Sequence, residues 1–330
     1  MKTGREVPVE STSDICLYIQ DAFKNIAEKP RAQTLPTDWP RSDVEKELAE
    51  RAGGVFIWAV TALEFIAEGD PVKRLAIIRV GRLPGGGVHA LYKQILETTF
   101  PSNAESLLFV KLASAVIAAQ KYLTAEDWAR LLRMDAGTIK GIHRMLRTVV
   151  VDEGIIRFRH QSFVDFLLEF GDTAPNQPES GCPKRFRVDV SEAHHTLARV
   201  SFLLMNRDLG FNTCSIDSSY FPIKRVSSET CVNAVTPALA YVCEFWKFHL
   251  QRLRPSDRID ISLILRFLQE KTLYWVESLS VLGRLNIAVG ALDVLQQYLM
   301  PTNVSFNQTM SHMGVLTIYV IRVIAIKNHQ

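Results

Sequence analysis

The sequence predicts a mainly α-helical protein, and three observations carry that expectation. Apolar residues recur at steps of three and four in segment after segment, which gathers them on one helix face. Gly, Pro, Asn, Asp and Ser cluster between those segments, where the chain must turn. Only one stretch, 148–160, has a hairpin pattern, and no repeat of roughly 20–50 residues runs through the chain.

The first periodic segment is 15–27, where Ile15, Ile19, Ala22, Phe23 and Ile26 share a face behind a possible Ser13-Asp14 cap. Pro30 and the stretch 35–43 then break the chain. A second helix starts near Ser42 or Asp43 and stops at Gly53-Gly54. The segment 55–69 is apolar on nearly every side, which predicts a buried helix. Val72 to Val80 reads as another, and Gly85-Gly86-Gly87 as a hinge. Next come an amphipathic helix over 90–100, closed by Pro101, and a long apolar helix over 104–120. Thr124 with Asp127 three residues on is a capping-box-like start, with Asp in place of Glu or Gln. A further helix covers 135–149. Two β-rich runs then flank Asp152-Glu153-Gly154, a hairpin signal, and a helix resumes at 162. The loop 173–185 precedes helices over 188–209, 236–253, 260–283 and 285–299, with a polar, irregular stretch at 212–229. The tail from 313 is rich in β-branched residues.

Three short helices followed by a hairpin is the order of a winged helix. The expected architecture is therefore a disordered N-terminus (1–10), a helical, lid-like domain (11–83), and a winged-helix domain with one β-hairpin (88–171). A linker (172–183), a second helical domain (184–300) and an unassigned tail (301–330) follow.

Length and composition bound the function. The chain has 330 residues, room for two or three domains of about 100–200 residues each. It is 47% hydrophobic and 22% charged, which excludes intrinsic disorder as its general state. A formal net charge of +3 gives no reason to expect nucleic acid or a membrane surface as partner. Cys16, Cys182, Cys214, Cys231 and Cys243 form no close pairs, as expected for reduced thiols of a cytoplasmic protein. The first residues lack the apolar core of a signal peptide. The longest apolar stretch, 313–326, is interrupted by Arg322 and falls short of the roughly 18 residues a membrane span needs.

Several blocks together resemble basidiomycete NACHT proteins of the STAND class of signalling NTPases, many of which carry WD40 repeats further on. They are DICLYIQDAF (14–23), LPTDWP (35–40), RAGGVFIWAVTALEFI (51–66), ALYKQIL (90–96), IRFRHQSFVDFL (156–167), FRVDVSEAHHTLA (186–198) and ALAYVCEFWKFHL (238–250). They occur in the family's order over roughly residues 11–255. The resemblance implies a position after the NTPase core: a small helical domain, a winged helix, then a second helical domain. It also departs from the family. No G-x-x-x-x-G-K-S/T stands anywhere, so the backbone cradle and the lysine for β- and γ-phosphates are missing. The glycine cluster 85–87 is followed by Val-His, and no WD40 signature follows residue 255. The expected function is thus that of a truncated NTPase: a regulatory segment that packs on a NACHT core or on itself and performs no hydrolysis. ATP or ADP with magnesium would be bound only if such a core were supplied.

His160 is the candidate site residue. The resemblance implies that a winged-helix histidine in an H-x-x-F-x-x-F setting touches the nucleotide's phosphates in the closed state; Phe163 and Phe166 match that pattern. An imidazole can donate a hydrogen bond to phosphate, and its protonated form adds charge. The plainer alternative is a histidine that caps the helix over 162–169 or fills a polar niche in the core. A second hypothesis is DNA binding by the winged helix. Lys140, Arg144 and Arg147, at steps of four and three, give a basic stripe, with Arg157 and Arg159 as wing contacts. The near-neutral net charge speaks against it. A third is a structural scaffold. His194 and His195 are neighbours and cannot share a helix face as metal ligands. Cys243 and His249 lack a second pair, so these residues read as core or surface. No nucleophile-plus-base arrangement is present.

Overall fold

The computed structural model describes residues 9–28, 35–80, 87–150, 154–168, 181–213 and 235–300. Several sequence expectations lie outside them: the first residues, Gly85 and Gly86, Asp152-Glu153, Cys214, Cys231, most of the loop 173–185, most of the irregular stretch 212–229, and the tail. The described residues are mainly helical. The expected hairpin is represented among them by a single antiparallel bridge, Val150 to Phe158.

The chain falls into two compact units, one of Met1–Lys111 with Lys140–Val188, the other of Leu112–Ile139 with Asp189–Gln330. The first holds α1 (Val9–Ala27), α2 (Ser42–Ala52), α3 (Phe56–Ala67), α4 (Pro71–Val80) and α5 (Gly87–Thr99). It also holds the first half of α6 (Asn103–Ala118), the later part of α8 (Ala136–Met145), α9 (Gln161–Leu168) and a 3-10 turn, Lys184–Phe186.

α1 starts earlier than its sequence cap suggests. No Pro or Gly lies between Val9 and Ala27 to stop the helix, so Ser13 and Asp14 fall within it rather than before it. Its apolar stripe, Ile15, Ile19, Phe23 and Ile26, is buried against Val44 and Leu48 of α2 and Ala59, Ala62 and Ile66 of α3. α2 ends where expected, because Gly53 takes φ +53°, a left-handed conformation that costs glycine no β-carbon clash. α3 is apolar all round and accordingly buried on most sides. Arg51 of α2 holds the last turn of α4 by donating to the carbonyls of Ile78 (2.9 Å) and Arg79 (2.6 Å). That supplies donors to carbonyls a helix end otherwise leaves open.

The second unit holds α7 (Ala125–Leu132), α10 (Val190–Asp208), α11 (Pro237–Leu250), α12 (Ile261–Arg266), α13 (Thr272–Val281) and α14 (Ile287–Leu299), with the later half of α6. Thr124 caps α7 as the sequence predicts: its Oγ1 accepts the Asp127 N–H at 3.2 Å, and its hydroxyl donates to the Asp127 carboxylate at 2.7 Å. Asp189 caps α10 by accepting the N–H groups of Ser191 (2.8 Å) and Glu192 (3.2 Å). Thr236 caps α11, with Pro237 at its first turn. α10 and α11 pack together through Phe202 and Trp246.

The helix expected over 260–283 contains a π turn, Phe267–Lys271, between α12 and α13. The buried Thr272 hydroxyl lies 3.1 Å from the carbonyls of both Phe267 and Leu268 and shares its one proton between them. The turn lets Phe267 lie against Phe202, Trp246 and Trp275. Trp275 donates its indole N–H to the Cys243 carbonyl at 2.9 Å. No helix among the described residues is long and apolar enough to cross a membrane.

Candidate functional site

The site around His160 is built at the start of α9. The His160 carbonyl accepts the Phe163 N–H at 3.2 Å, the first bond of the helix. Its Nδ1 accepts the Ser162 N–H at 3.1 Å and lies 2.7 Å from the Ser162 hydroxyl. His160 is therefore the N-cap of α9, as the plainer sequence alternative has it. The capping role fixes the tautomer. A ring nitrogen that accepts an amide N–H carries no proton, so the neutral ring is protonated at Nε2. Nε2 makes no hydrogen bond to any described residue, and the imidazole is exposed. Capping and presenting a donor are thus compatible in one side chain.

A polar chain runs inward from the ring. The Ser162 hydroxyl lies 2.8 Å from the hydroxyl of Tyr92 on α5. With Ser162 donating to Nδ1, Tyr92 donates to Ser162. Tyr92 is buried and also hydrogen-bonded to Thr61 of α3; burial raises its pKa, opposed by its hydrogen bonds to Ser162 and Thr61. The rings of Phe163 and Phe166 pack on Tyr92, with centroids at 4.9 and 5.8 Å. The two phenylalanines of the H-x-x-F-x-x-F pattern therefore anchor α9, while the histidine stays at the surface.

Arg159, beside His160, is tied down three ways. Its backbone N–H donates to Val149 (2.8 Å), its Nε donates to the Val150 carbonyl (3.1 Å), and its Nη1 pairs with Glu64 of α3 at 3.0 Å. Burial pushes the Glu64 carboxyl up, and the Arg159 charge opposes that shift. Arg159 itself is exposed, Arg157 is half-buried, and Lys140 and Arg144 on α8 and Arg147 just after it are exposed.

A second polar cluster, in the other unit, escaped the sequence reading. His194 of α10 and His249 of α11 are buried with their Nδ1 atoms 2.9 Å apart. His249 Nε2 lies 2.8 Å from the Tyr241 hydroxyl, which accepts the Gln120 N–H at 3.4 Å. One pattern satisfies every member: Tyr241 donates to His249 Nε2, and His249 Nδ1–H donates to His194 Nδ1. Burial, then the nearness of His194 and Arg252, drives the His249 pKa down to about 3, and burial lowers that of His194 as well. Tyr241 and His249 stand eight apart on one helix face, a signal the sequence does contain. Their meeting with His194 depends on how α10 packs on α11, which spacing does not reveal. His195 points elsewhere, with Nε2 lying 3.2 Å from the Arg258 carbonyl. Among the described residues no group of three or more His, Cys, Asp or Glu could hold a metal ion.

No family model matches the chain, and no solved structure matches it. It is similar to the vegetative incompatibility protein HET-E-1 of Podospora anserina, with 26% identity over 311 residues. The match covers 89% of this chain but only 22% of that protein, so the chain spans about a fifth of the length of its relative. The comparison therefore places the chain at a distance from a fungal incompatibility protein, along nearly its whole length.

Proposed function

We propose that this chain is a regulatory and interaction segment of a NACHT-type signalling NTPase, relaying nucleotide state into conformation or self-association. In this reading α6 to α9 with the Val150–Phe158 bridge form a winged helix. His160 reports on the phosphates of ATP or ADP held with magnesium by a separate NACHT core. The chain itself hydrolyses nothing, since it has no glycine-and-lysine cradle for phosphate.

The observation that carries the reading is the state of His160. Its Nδ1 is committed to the cap, its Nε2–H is presented to solvent, and the Ser162–Tyr92 chain links the ring to the buried core of its unit. A surface donor wired into a core is suited to sensing an anion and transmitting the contact. The similarity to a fungal incompatibility protein supports the signalling context.

The test has two arms. Purified chain is assayed for magnesium-dependent ATP turnover; none is expected, and tight binding with turnover would refute the reading. The chain is then mixed with a NACHT core, and association is followed by analytical ultracentrifugation with ADP and with a non-hydrolysable ATP analogue. The association constant should differ between the two nucleotides. Equal constants would leave only the scaffold function.

A further inference from the structure

The second unit carries a groove that neither the fold nor the His160 site uses. Val200, Leu203, Leu204 and Arg207 of α10 fall on one helix face. They form one wall of a cavity of about 90 Å³, and Arg130 and Leu131 of α7 with Arg133, the residue that closes it, stand on the other. That volume is below the roughly 150 Å³ that admits benzene, so the cavity suits a single aliphatic side chain. Val200 and Leu204 are buried beneath it, while Leu203 is half-exposed at its mouth.

The rim is basic. Arg130, Arg133 and Arg207 are all exposed. Arg207 is paired with Asp208 at 2.5 and 2.9 Å. The side chains of Arg130 and Arg133 make no hydrogen bond or ion pair with any described residue. Three arginines therefore line the cavity, and one of them, Arg207, is already paired with the neighbouring Asp208. Arg133 also closes α7 at φ +51°, a left-handed position where glycine is the usual occupant.

We propose that this groove docks an acidic protein segment, seating one apolar side chain between flanking carboxylates. Charge complementarity selects the acid: planar guanidiniums pair carboxylates in two-point geometry. The apolar wall selects protein over nucleic acid, since a phosphate backbone offers nothing to fill it and Asp208 would repel phosphate. The chain's small net charge agrees with that choice.

A display library of short random peptides, panned on the purified chain, tests this. Enriched peptides should carry Asp or Glu around one Val, Leu, Ile or Met. A fluorescein-labelled representative should bind R130E/R133E at least about tenfold more weakly, and should weaken with added salt. L203K, which blocks the mouth without touching the arginines, should also weaken it, while K140E in the other unit should not. Circular dichroism melts establish that each variant is folded; should R130E/R133E unfold, L203K decides. No enrichment, enrichment without acidic residues, or binding indifferent to both variants would overturn the proposal. Salt-sensitive binding of a short DNA duplex, lost in R130E/R133E and tighter than that of any peptide, would overturn it in favour of nucleic acid.

Discussion

At the residue scale, the His194–His249–Tyr241 cluster and the His160 cap use the same chemistry to opposite ends. The buried cluster excludes the charged imidazole, and the surface cap leaves one nitrogen available. The cluster has a thermodynamic consequence. His249 titrates near 6.5 when unfolded and at about 3 when folded, so acid favours the unfolded chain. Its contribution to stability is whole above the unfolded value and is lost as pH falls from about 6.5 toward 3, with His194 shifted in the same direction. Over pH 6.5 to 5 the loss from His249 is about 2 kcal/mol, at about 1.4 kcal/mol per pH unit. Urea midpoints measured across that range should fall with pH in the natural protein and fall less steeply in H249Q. Parallel slopes would mean that His249 is not the proton acceptor. At the other site, Y92F deletes the hydroxyl that meets Ser162 and should cost about 1 kcal/mol of stability by the same urea assay. Of these groups only His160 stood out in the sequence as a site residue; Ser162 and Tyr92 beside it, and the union of Tyr241, His249 and His194, were not legible, because side-chain meetings across helices depend on packing.

Among the elements, caps and stops were the most legible features. Thr124 before α7, Gly53 after α2 and Pro237 at the start of α11 act as their chemistry dictates. Two features were less visible. The first turns of α1 lack a breaker, so the Ser13-Asp14 signal was overridden by continuation of the helix to Val9. The π turn at Phe267–Lys271 has no signature in hydrophobic spacing; it depends on one threonine hydroxyl and on aromatic packing around Phe267. T272A should therefore destabilise the second unit by about 1–3 kcal/mol, since it removes the buried hydroxyl that the two carbonyls share. T124A should cost about 1 kcal/mol through the cap of α7. Chemical denaturation of each variant measures both, and a T272A effect smaller than that of T124A would show that the π turn is held by the aromatic cluster alone.

Across the whole molecule, helical class followed from composition and periodicity, since apolar faces must find partners. The resemblance to NACHT proteins rests on ordered blocks, and the distant likeness to an incompatibility protein covers nearly the same span. What the chain would relay depends on a nucleotide site that its own sequence does not supply. The proposed role of His160, held as the cap of α9, is to offer Nε2–H to phosphate. H160N separates the two roles, because asparagine caps a helix well but lacks the reach of the imidazole. The decisive measurement is the release rate of a fluorescent ADP analogue from a longer chain in which a NACHT core precedes these residues. H160N should keep the melting temperature within a few degrees and speed release about tenfold or more, the loss of one charged hydrogen bond. An unchanged release rate would contradict it and leave His160 as a helix cap alone.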